Sequence, residues 1–520
     1  MDSRAVLTLF VLSSILLFKD NVCVAYKKTV TQPHVLFILA DDLGFNDVSY
    51  NGRNHGSAMK TTTIDKLAAE GVTLGNYYVQ PICTPTRSQL MSGRYQIHTG
   101  LYHRNFYPDR PQCLPLDEIT FPQKMKDSGY ATHMIGKWHL GFHKKECLPT
   151  YRGFDTFLGY YLGSEGYFNH NRSDSVEGIK MNGYDFHRDV GENLTPAWEY
   201  NGQYSTFVFT QEAQNILRQH KPTDKPIFLY LPYQAVHEPM EVPEQYTEPF
   251  KDKIKDKTRL QLAGIVSCMD EGIANITQTL KETGLYDNTI MIFSTDNGGP
   301  TILHYNNWPL RGAKGTLWEG GVHGVGFVHS PLLPAQVQGT VNKAFIHVSD
   351  WFPTIVQSIA GGQLNGTKPL DGYDVWDSII KGTSSPRKEL LHNIDPYFVK
   401  VTNITQLPSP FTPNIHAALR VGDWKILTGN PGVYNGWIPP LESGIVPIQP
   451  VMPEGKNIWL FNITADPDEK YDVAYKNPSV VKMMLAKLAE YYNTTVPVLW
   501  PDPDPNCDPA NHGGVWGPWM

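Results

Sequence analysis

Four short, largely apolar runs recur in the first three hundred residues. They are Val35-Leu36-Phe37-Ile38-Leu39-Ala40, Ala131 to Ile135, Pro226 to Leu231, and Thr289 to Ser294. Runs of this length without polar alternation predict strands buried on both faces of a parallel sheet. Between them lie helical patterns. The clearest spans Arg259 to Thr283, where Leu262, Ile265, Val266, Met269, Ile273, Ile276 and Leu280 form one apolar stripe. Strands alternating with helices imply an α/β unit with a mostly parallel sheet. Past about Ser385 the pattern changes. Ala417 to Leu427 reads as a hairpin turning at Gly422-Asp423, Ile458 to Asn462 as a further strand, and Val480 to Tyr492 as a helix. The expected organisation is an α/β domain over 26–385 and a smaller α+β domain over 386–520, built on an antiparallel sheet and ending in a Pro- and Trp-rich tail.

Each of the four runs hands over to charged or metal-binding residue types at its carboxyl end. The first is followed by Asp41-Asp42-Leu43-Gly44 and the second by Gly136-Lys137-Trp138-His139. The third leads to Val236-His237-Glu238-Pro239, and the fourth to Thr295-Asp296-Asn297-Gly298-Gly299. A single handover is ordinary turn or cap chemistry. Four of them place a ligand site at the carboxyl edge of the sheet, where open α/β sheets bind ligands. Asp41, Asp42, Asp296 and Asn297 offer only oxygen, which selects Ca²⁺ or Mg²⁺ over zinc. Lys137, His139, His237, Arg87 and Lys314 add positive charge or hydrogen-bond donors. Lys314 lies in Leu310-Arg311-Gly312-Ala313-Lys314-Gly315-Thr316, whose glycines permit close backbone approach. Cations gathered around a divalent metal point to an anionic substrate, best a tetrahedral oxyanion ester.

One further stretch, Ile82-Cys83-Thr84-Pro85-Thr86-Arg87-Ser88, reads as a tight loop entering a helix that Gly93 stops. Cys83 then sits at a helix N-terminus, where free N–H groups favour an anion. On its own the stretch reads equally well as a buried structural cysteine.

Composition narrows the setting. The chain has 520 residues, 41% apolar and 18% charged, with net charge −7, twelve Trp and 27 Tyr. Without a basic field, a nucleic-acid partner is not expected. Arg4 followed by the apolar run Ala5 to Phe18 and small residues to Ala25 has the anatomy of a secretory signal peptide over 1–25, and no later segment is apolar enough to span a bilayer. Sequons at Asn171, Asn193, Asn275, Asn365, Asn403, Asn462 and Asn493 agree with that route. Of six cysteines, Cys23 leaves with the signal. Cys113 and Cys147 are a plausible disulfide in an oxidising compartment, stabilising by about 3–4 kcal/mol. Cys268 falls on a helix, Cys507 has no evident partner, and Cys83 is left needing another explanation.

Cys83-Thr84-Pro85-Thr86-Arg87, continued by Ser92-Gly93-Arg94 and joined by Gly136-Lys137-Trp138-His139, resembles the Cys-x-Pro-x-Arg signature of type I sulfatases. Tyr95 to Gly100, Asn307 to Gly312, Leu317 to Gly321 and the terminal Gly514 to Met520 are similar to the branch containing arylsulfatase B and its I and J relatives. The resemblance covers nearly the whole mature chain. It implies an alkaline-phosphatase-like fold and oxidation of Cys83 to Cα-formylglycine by the formylglycine-generating enzyme. It also implies Ca²⁺ held by Asp41, Asp42, Asp296, Asn297 and the modified residue 83. Of the two hydroxyls of the hydrated aldehyde, one attacks sulfur, forming a covalent sulfate ester. The other is deprotonated by His139, expelling sulfate. Arg87 supports the hydrate and metal, Lys137 and Lys314 bind sulfate oxygens, and His237 with Lys314 protonates the leaving oxygen.

The implied substrates are aryl sulfates and sulfated carbohydrates, among them N-acetylgalactosamine 4-sulfate ends of glycosaminoglycans, met in the lysosome or outside the cell. The chain departs from the family pattern where the partner of the C-terminal cysteine is Asp109, so Cys507 is expected to be unpaired. Two alternatives are a phosphate or phosphonate monoester hydrolase of the same superfamily and a secreted protein that binds sulfated glycans without cleaving them. Zinc phosphatases of that superfamily need histidine ligands beside the strand-end aspartates, and none is obvious here.

Overall fold

A computed structural model describes residues 32–52, 56–176, 178–221, 223–399 and 409–520. The proposed signal peptide and Asn403 lie outside the described residues. The larger sheet has nine strands: β1 (His34–Ala40), β2 (Val72–Leu74), β3 (Ala131–Lys137), β4 (Thr156–Tyr160), β5 (His187–Val190), β6 (Ile227–Pro232), β7 (Thr289–Thr295), β8 (Gly326–His329) and β9 (Thr340–Asn342). Their spatial order is β9-β2-β8-β7-β1-β6-β3-β4-β5. Pairing is parallel except at β2/β8, β8/β7 and β4/β5, so the sheet is mixed and mostly parallel.

The four strands legible from their apolar runs are the contiguous centre of this sheet, β7-β1-β6-β3. Along β1 the two-residue side-chain period divides the run between two cores. Val35, Phe37 and Leu39 join the cluster on one face, and Leu36, Ile38 and Ala40 the cluster on the other. Burial on both faces is why no polar alternation shows. The helix Lys257–Glu282 starts at Asp256, whose carboxylate accepts from Arg259 N at 2.8 Å. Its apolar stripe packs into the second of these cores.

Strands β2, β4, β5, β8 and β9 do not stand out in the sequence. They have three to five residues each, and β9 is largely solvent-exposed, so no long hydrophobic run marks them.

A second sheet, Glu389–Asp395, His416–Val421, Trp424–Thr428 and Ile458–Asn462, is an antiparallel meander whose hairpin turns at Gly422-Asp423. The helix Pro478–Tyr492 covers it through Met484, Leu485 and Leu488. The tail returns across the first sheet's unit. Trp516 is fully buried and donates from Nε1 to Arg172 O at 2.9 Å.

Cys113 and Cys147 form a disulfide, while Cys83, Cys268 and Cys507 are buried and free. Asn171, Asn193, Asn275, Asn365 and Asn493 are exposed, and Asn462 is half-buried. Among the described residues no helix is long and apolar enough to cross a membrane.

Candidate active site

Because β7, β1, β6 and β3 run parallel side by side, their carboxyl ends open on one edge. Ala40 pairs with Thr295, and Asp296 N donates to Ala40 O at 3.1 Å, so Asp41 and Asp296 leave the sheet together. Asp41 N donates to Ala235 O at 3.0 Å, tying in the segment before His237. Asp42 has φ 62° and His139 φ 55°, left-handed values that Asp and His tolerate better than most residues. Gly298 allows this crowding, since a Cβ there would lie 1.8 Å from Gly320 O. Gly163 does the same for His139, whose ring atom Cε1 would be 2.7 Å from a Cβ at that position.

The helix Cys83–Ser92 enters this edge with all ten residues buried, Gly93 closing it at φ 67°. Thr84 N, one of its free N-terminal donors, is satisfied by Asn105 Oδ1 at 3.0 Å. Cys83 Sγ donates to Asp41 Oδ1 at 3.7 Å. Burial pushes its thiol up to about 12 despite Lys137 and Lys314 nearby.

Three carboxylates and three cations alternate below it. Lys137 Nζ lies 2.6 Å from Asp41 Oδ2, and Lys314 Nζ lies 2.6 Å from Asp42 Oδ1. Arg87 reaches Asp296 Oδ2 from Nη2 at 2.8 Å and from Nε at 3.2 Å, and Lys137 O from Nη1 at 3.2 Å. Burial alone would raise the Asp41 carboxyl, but Lys137, His237 and Arg87 outweigh it and hold it below its ordinary value. Burial likewise opposes Lys314 and His237 at Asp42, and the carboxyl again ends low. Both stay ionised, as metal ligands must.

The donor set fits a hard divalent cation. Carboxylate oxygens of Asp41 and Asp42, the His237 ring and the Cys83 sulfur, where the hydrate oxygen of a modified residue would stand, converge within 4.8 Å of one another. Asn297 donates from Nδ2 to Asp42 Oδ1 at 2.7 Å, which leaves its Oδ1 buried with no hydrogen-bond partner. An orphaned amide oxygen beside converging carboxylates is what a calcium ligand shell supplies.

Two imidazoles flank the position. His139 Nε2 lies 3.2 Å from Phe106 O, so Nε2 carries the proton and donates, while Nδ1 is left bare and unpartnered. Burial, then Lys137 and Arg87, hold this ring neutral well below the usual histidine range. His237 Nδ1 lies 2.7 Å from Glu238 O, and Nε2 is 3.6 Å from Asp42 Oδ2. Burial and Lys314 lower its pKa against the pull of Asp42.

A cavity of about 200 Å³ opens above Cys83, His139 and His237, with Asn105, Tyr107, Ser164, Arg172 and Glu238 among its walls. The structure thus brings together Asp41, Asp42, Cys83, Arg87, Lys137, His139, His237, Asp296, Asn297 and Lys314. It adds Glu238, part of the handover after the third run, and Asn105, Phe106, Gly163, Ser164 and Arg172, which no local pattern marks. Arg172 sits on a hairpin and the others on loops, and only the folded chain carries them to the cavity.

Residues 33–361 match the family model described as Sulfatase. The chain is 52% identical over 498 residues to arylsulfatase J of Mus musculus, covering 94% of this chain and 80% of that protein. It is 27% identical over 376 residues to N-acetylgalactosamine-6-sulfatase of Mus musculus, covering 68% of each. Among solved structures, the crystal structure of Ps i-CgsB in complex with k-i-k-neocarrahexaose superposes with TM-score 0.72 at 26% identity, covering 90% of this chain and 95% of that one.

Proposed function

The chain belongs to the sulfatase family, and from that membership we propose that it is a calcium-dependent hydrolase of sulfate esters on carbohydrates, N-acetylgalactosamine 4-sulfate ends of glycosaminoglycans foremost, with aryl sulfates as model substrates. The observation that carries this reading is the placement of Cys83. Its thiol is held at about 12 and faces Asp41 at 3.7 Å, at the floor of a cavity and close above the cations Lys137 and Lys314. An unmodified thiol with that pKa is almost never a thiolate at neutral pH, so as cysteine the residue is a poor nucleophile. As formylglycine hydrate, residue 83 supplies an oxygen nucleophile that accepts the sulfuryl group and then releases it without a second attack by water. Because Cys83 is only 1% exposed, the formylglycine-generating enzyme must reach it before the chain closes.

Calcium, when bound by Asp41, Asp42, Asp296 and Asn297, supplies charge that lowers the pKa of an adjacent hydroxyl and polarises sulfate oxygens. The residues around it divide the remaining work. The three carboxylates of Asp41, Asp42 and Asp296 balance Arg87, Lys137 and Lys314, so the divalent ion leaves the site net positive and ready for an anion. Lys137 and Lys314 then face both their carboxylates and the sulfate oxygens. Neutral His139 takes a proton at its bare Nδ1. Lys314, held charged by Asp42 against burial, is the proton source for the leaving oxygen. His237, with Nδ1–H committed to Glu238 O, shares that proton delivery with Lys314 when its Nε2 is protonated. Residues 1–25 direct the chain into the secretory pathway, to the lysosome or extracellular space, and the exposed sequons carry glycans.

Comparing release from an aryl sulfate and an aryl phosphate by the modified protein tests the reading. Sulfate release with little phosphate release is expected. The opposite preference would return the protein to the phosphate or phosphonate hydrolases, and binding of sulfated glycan with no release from either ester would mark a silent binder.

A further inference from the structure

Arg87, Arg259 and Arg387 are each fully buried, and each meets a carboxylate, Asp296, Asp47 and Asp350 respectively. Arg420 is 5% exposed and meets none among the described residues. Its Nε donates to Gly422 O at 3.1 Å and its Nη1 to Asn76 Oδ1 at 2.9 Å and to the Tyr78 hydroxyl. Its guanidinium lies 4.7 Å from the Phe345 ring centroid, and no acceptor meets Nη2. Arg152 and Arg311 also lack a carboxylate and are capped by main-chain carbonyls and, for Arg311, two indole faces.

What sets Arg420 apart is that it lines two adjoining cavities of about 670 and 600 Å³, which share Asn76, Val341, Lys343, Arg420 and Thr464. Together they form a cleft between the edge of the nine-stranded sheet and the four-stranded sheet. Lys343 and Lys388 stand exposed on the same walls, Lys388 donating only to Ser385 O at 2.7 Å. Three carboxylates face the cleft. Glu319 is paired with Lys425 at 2.8 Å and Asp468 with Lys470 at 2.7 Å, while Asp423 accepts from the Thr464 hydroxyl alone. Lys425 is shared between Glu319 and Glu469, beside which Arg420 adds a second positive charge, so the exposed Lys343 and Lys388 stand against one unpaired carboxylate. His323, on the same wall, has its buried Nδ1 without a partner. The counter-charge of Arg420 is indirect, since the Tyr78 hydroxyl that accepts from Nη1 donates in turn to Glu319 Oε2 at 2.8 Å, and an incoming anion with several acceptor oxygens can meet Nη2 directly.

We infer that this cleft is an accessory binding site for an anionic polysaccharide, with Arg420, Lys343 and Lys388 receiving its sulfate or carboxylate groups and half-buried Phe45 offering an apolar face to a sugar ring. Sheet topology gives the site its purpose. Lys343 follows the carboxyl end of β9, which runs parallel to β1 through β2, β8 and β7. The cleft thus opens on the same edge of the sheet as Asp41, four strands away, or about 19 Å at the usual strand spacing. A polymer is long enough to touch both places, and a monosaccharide ester is not. The charge of the cleft stands on its own, but naming the polymer as substrate rests on the sulfatase reading.

Lys343→Glu with Lys388→Glu reverses two exposed charges without touching the catalytic edge. With chondroitin sulfate, KM of this variant should rise about tenfold or more at unchanged kcat, while 4-nitrophenyl sulfate is hydrolysed as by the parent. Equal KM values for the polymer would overturn the proposal. A calorimetric titration of chondroitin sulfate into full-length Cys83→Ala protein, with and without the two reversals, decides it without catalysis. Affinity at least tenfold weaker in the reversed protein supports the cleft, and equal affinity refutes it. Should the modified parent release sulfate from neither substrate, the catalytic reading fails while the titration still decides the cleft.

Discussion

Arg87 Nη2 donates to Asp296 Oδ2 at 2.8 Å and lies 3.6 Å from Asp41 Oδ2, with all three side chains fully buried. The fold commits the guanidinium to the carboxylates, which would otherwise repel one another across the metal position. Removing one member of a buried ion pair costs about 3–5 kcal/mol because its partner is left charged and dry. Arg87→Ala should therefore lose that much stability in urea unfolding of the metal-free protein, and Arg87→Lys, which keeps charge without the fork, should lose less. Parent-like stability in Arg87→Ala would show that Asp296 is neutral in the folded chain.

Cys83→Ala should abolish sulfate release and leave the melting temperature within a few degrees of the parent, since one buried sulfur is lost from a helix held at every other position. Cys83→Ser should be inactive too, because a single hydroxyl cannot both accept and eliminate the sulfuryl group. Mass spectrometry of the peptide containing residue 83 gives the second readout. Active parent protein should carry an aldehyde there, and full activity with an intact thiol would end the formylglycine mechanism.

Much of this site is legible in the chain because its residues come directly off strand ends. Asp41, Lys137 and Asp296 sit at or one step past strand ends, within two residues of the apolar runs, and register does the rest: once Ala40 pairs with Thr295, their successors must meet. The walls are not legible for the converse reason. Asn105 caps the Cys83 helix from 21 residues away, and Arg172 reaches the cavity on a hairpin whose position depends on Trp516 at the far end of the chain. Such contacts follow from tertiary packing and leave no local period. Partial burial also hides the sheet's outer strands, as in β9, where exposed Val341 and Thr340 read as loop.

Calcium should stabilise the folded protein by mass action, by about 2.7 kcal/mol at a hundred times its dissociation constant. Differential scanning calorimetry should show the transition rising with added CaCl₂ and falling on chelation by EGTA, with MgCl₂ less effective. Asn297→Ala removes the orphaned oxygen together with the amide that holds Asp42, so its calcium-dependent shift should shrink markedly. An identical shift in Asn297→Ala would remove this residue from the metal site.

His139→Ala should lower kcat by about 10²–10⁴ with little change in KM, the range expected for loss of a positioned acid–base group. Because burial and the cations Lys137 and Arg87 keep the ring neutral far below pH 6.5, the parent's kcat should show no acid limb near that value from this residue. Gly163→Ala, which drives a methyl against the imidazole, should impair kcat in the same direction without removing any polar group.

At the opposite edge of the sheet, His34 Nδ1 accepts from Ile227 N at 3.0 Å, so the ring must be neutral there to keep that bond. Burial first, then the neighbouring His220, push its pKa down to about 4. In the unfolded chain the ring titrates near 6.5, so below that pH the unfolded state binds the extra proton and the folded state does not. The stability that His34 contributes is complete above about pH 6.5 and is lost as pH falls toward 4. Absolute stability curves will not show this cleanly. Glu469, raised to about 7 chiefly by burial, contributes with the opposite slope, losing stability as pH rises from about 4.5 to 7. A difference measurement removes such shared effects. The melting temperature of the parent minus that of His34→Gln should be largest at pH 7 and shrink steadily to pH 4. A constant difference across that range would mean that His34 titrates alike in both states. A shrinking one would show that the folded chain holds His34 neutral while the unfolded chain lets it titrate.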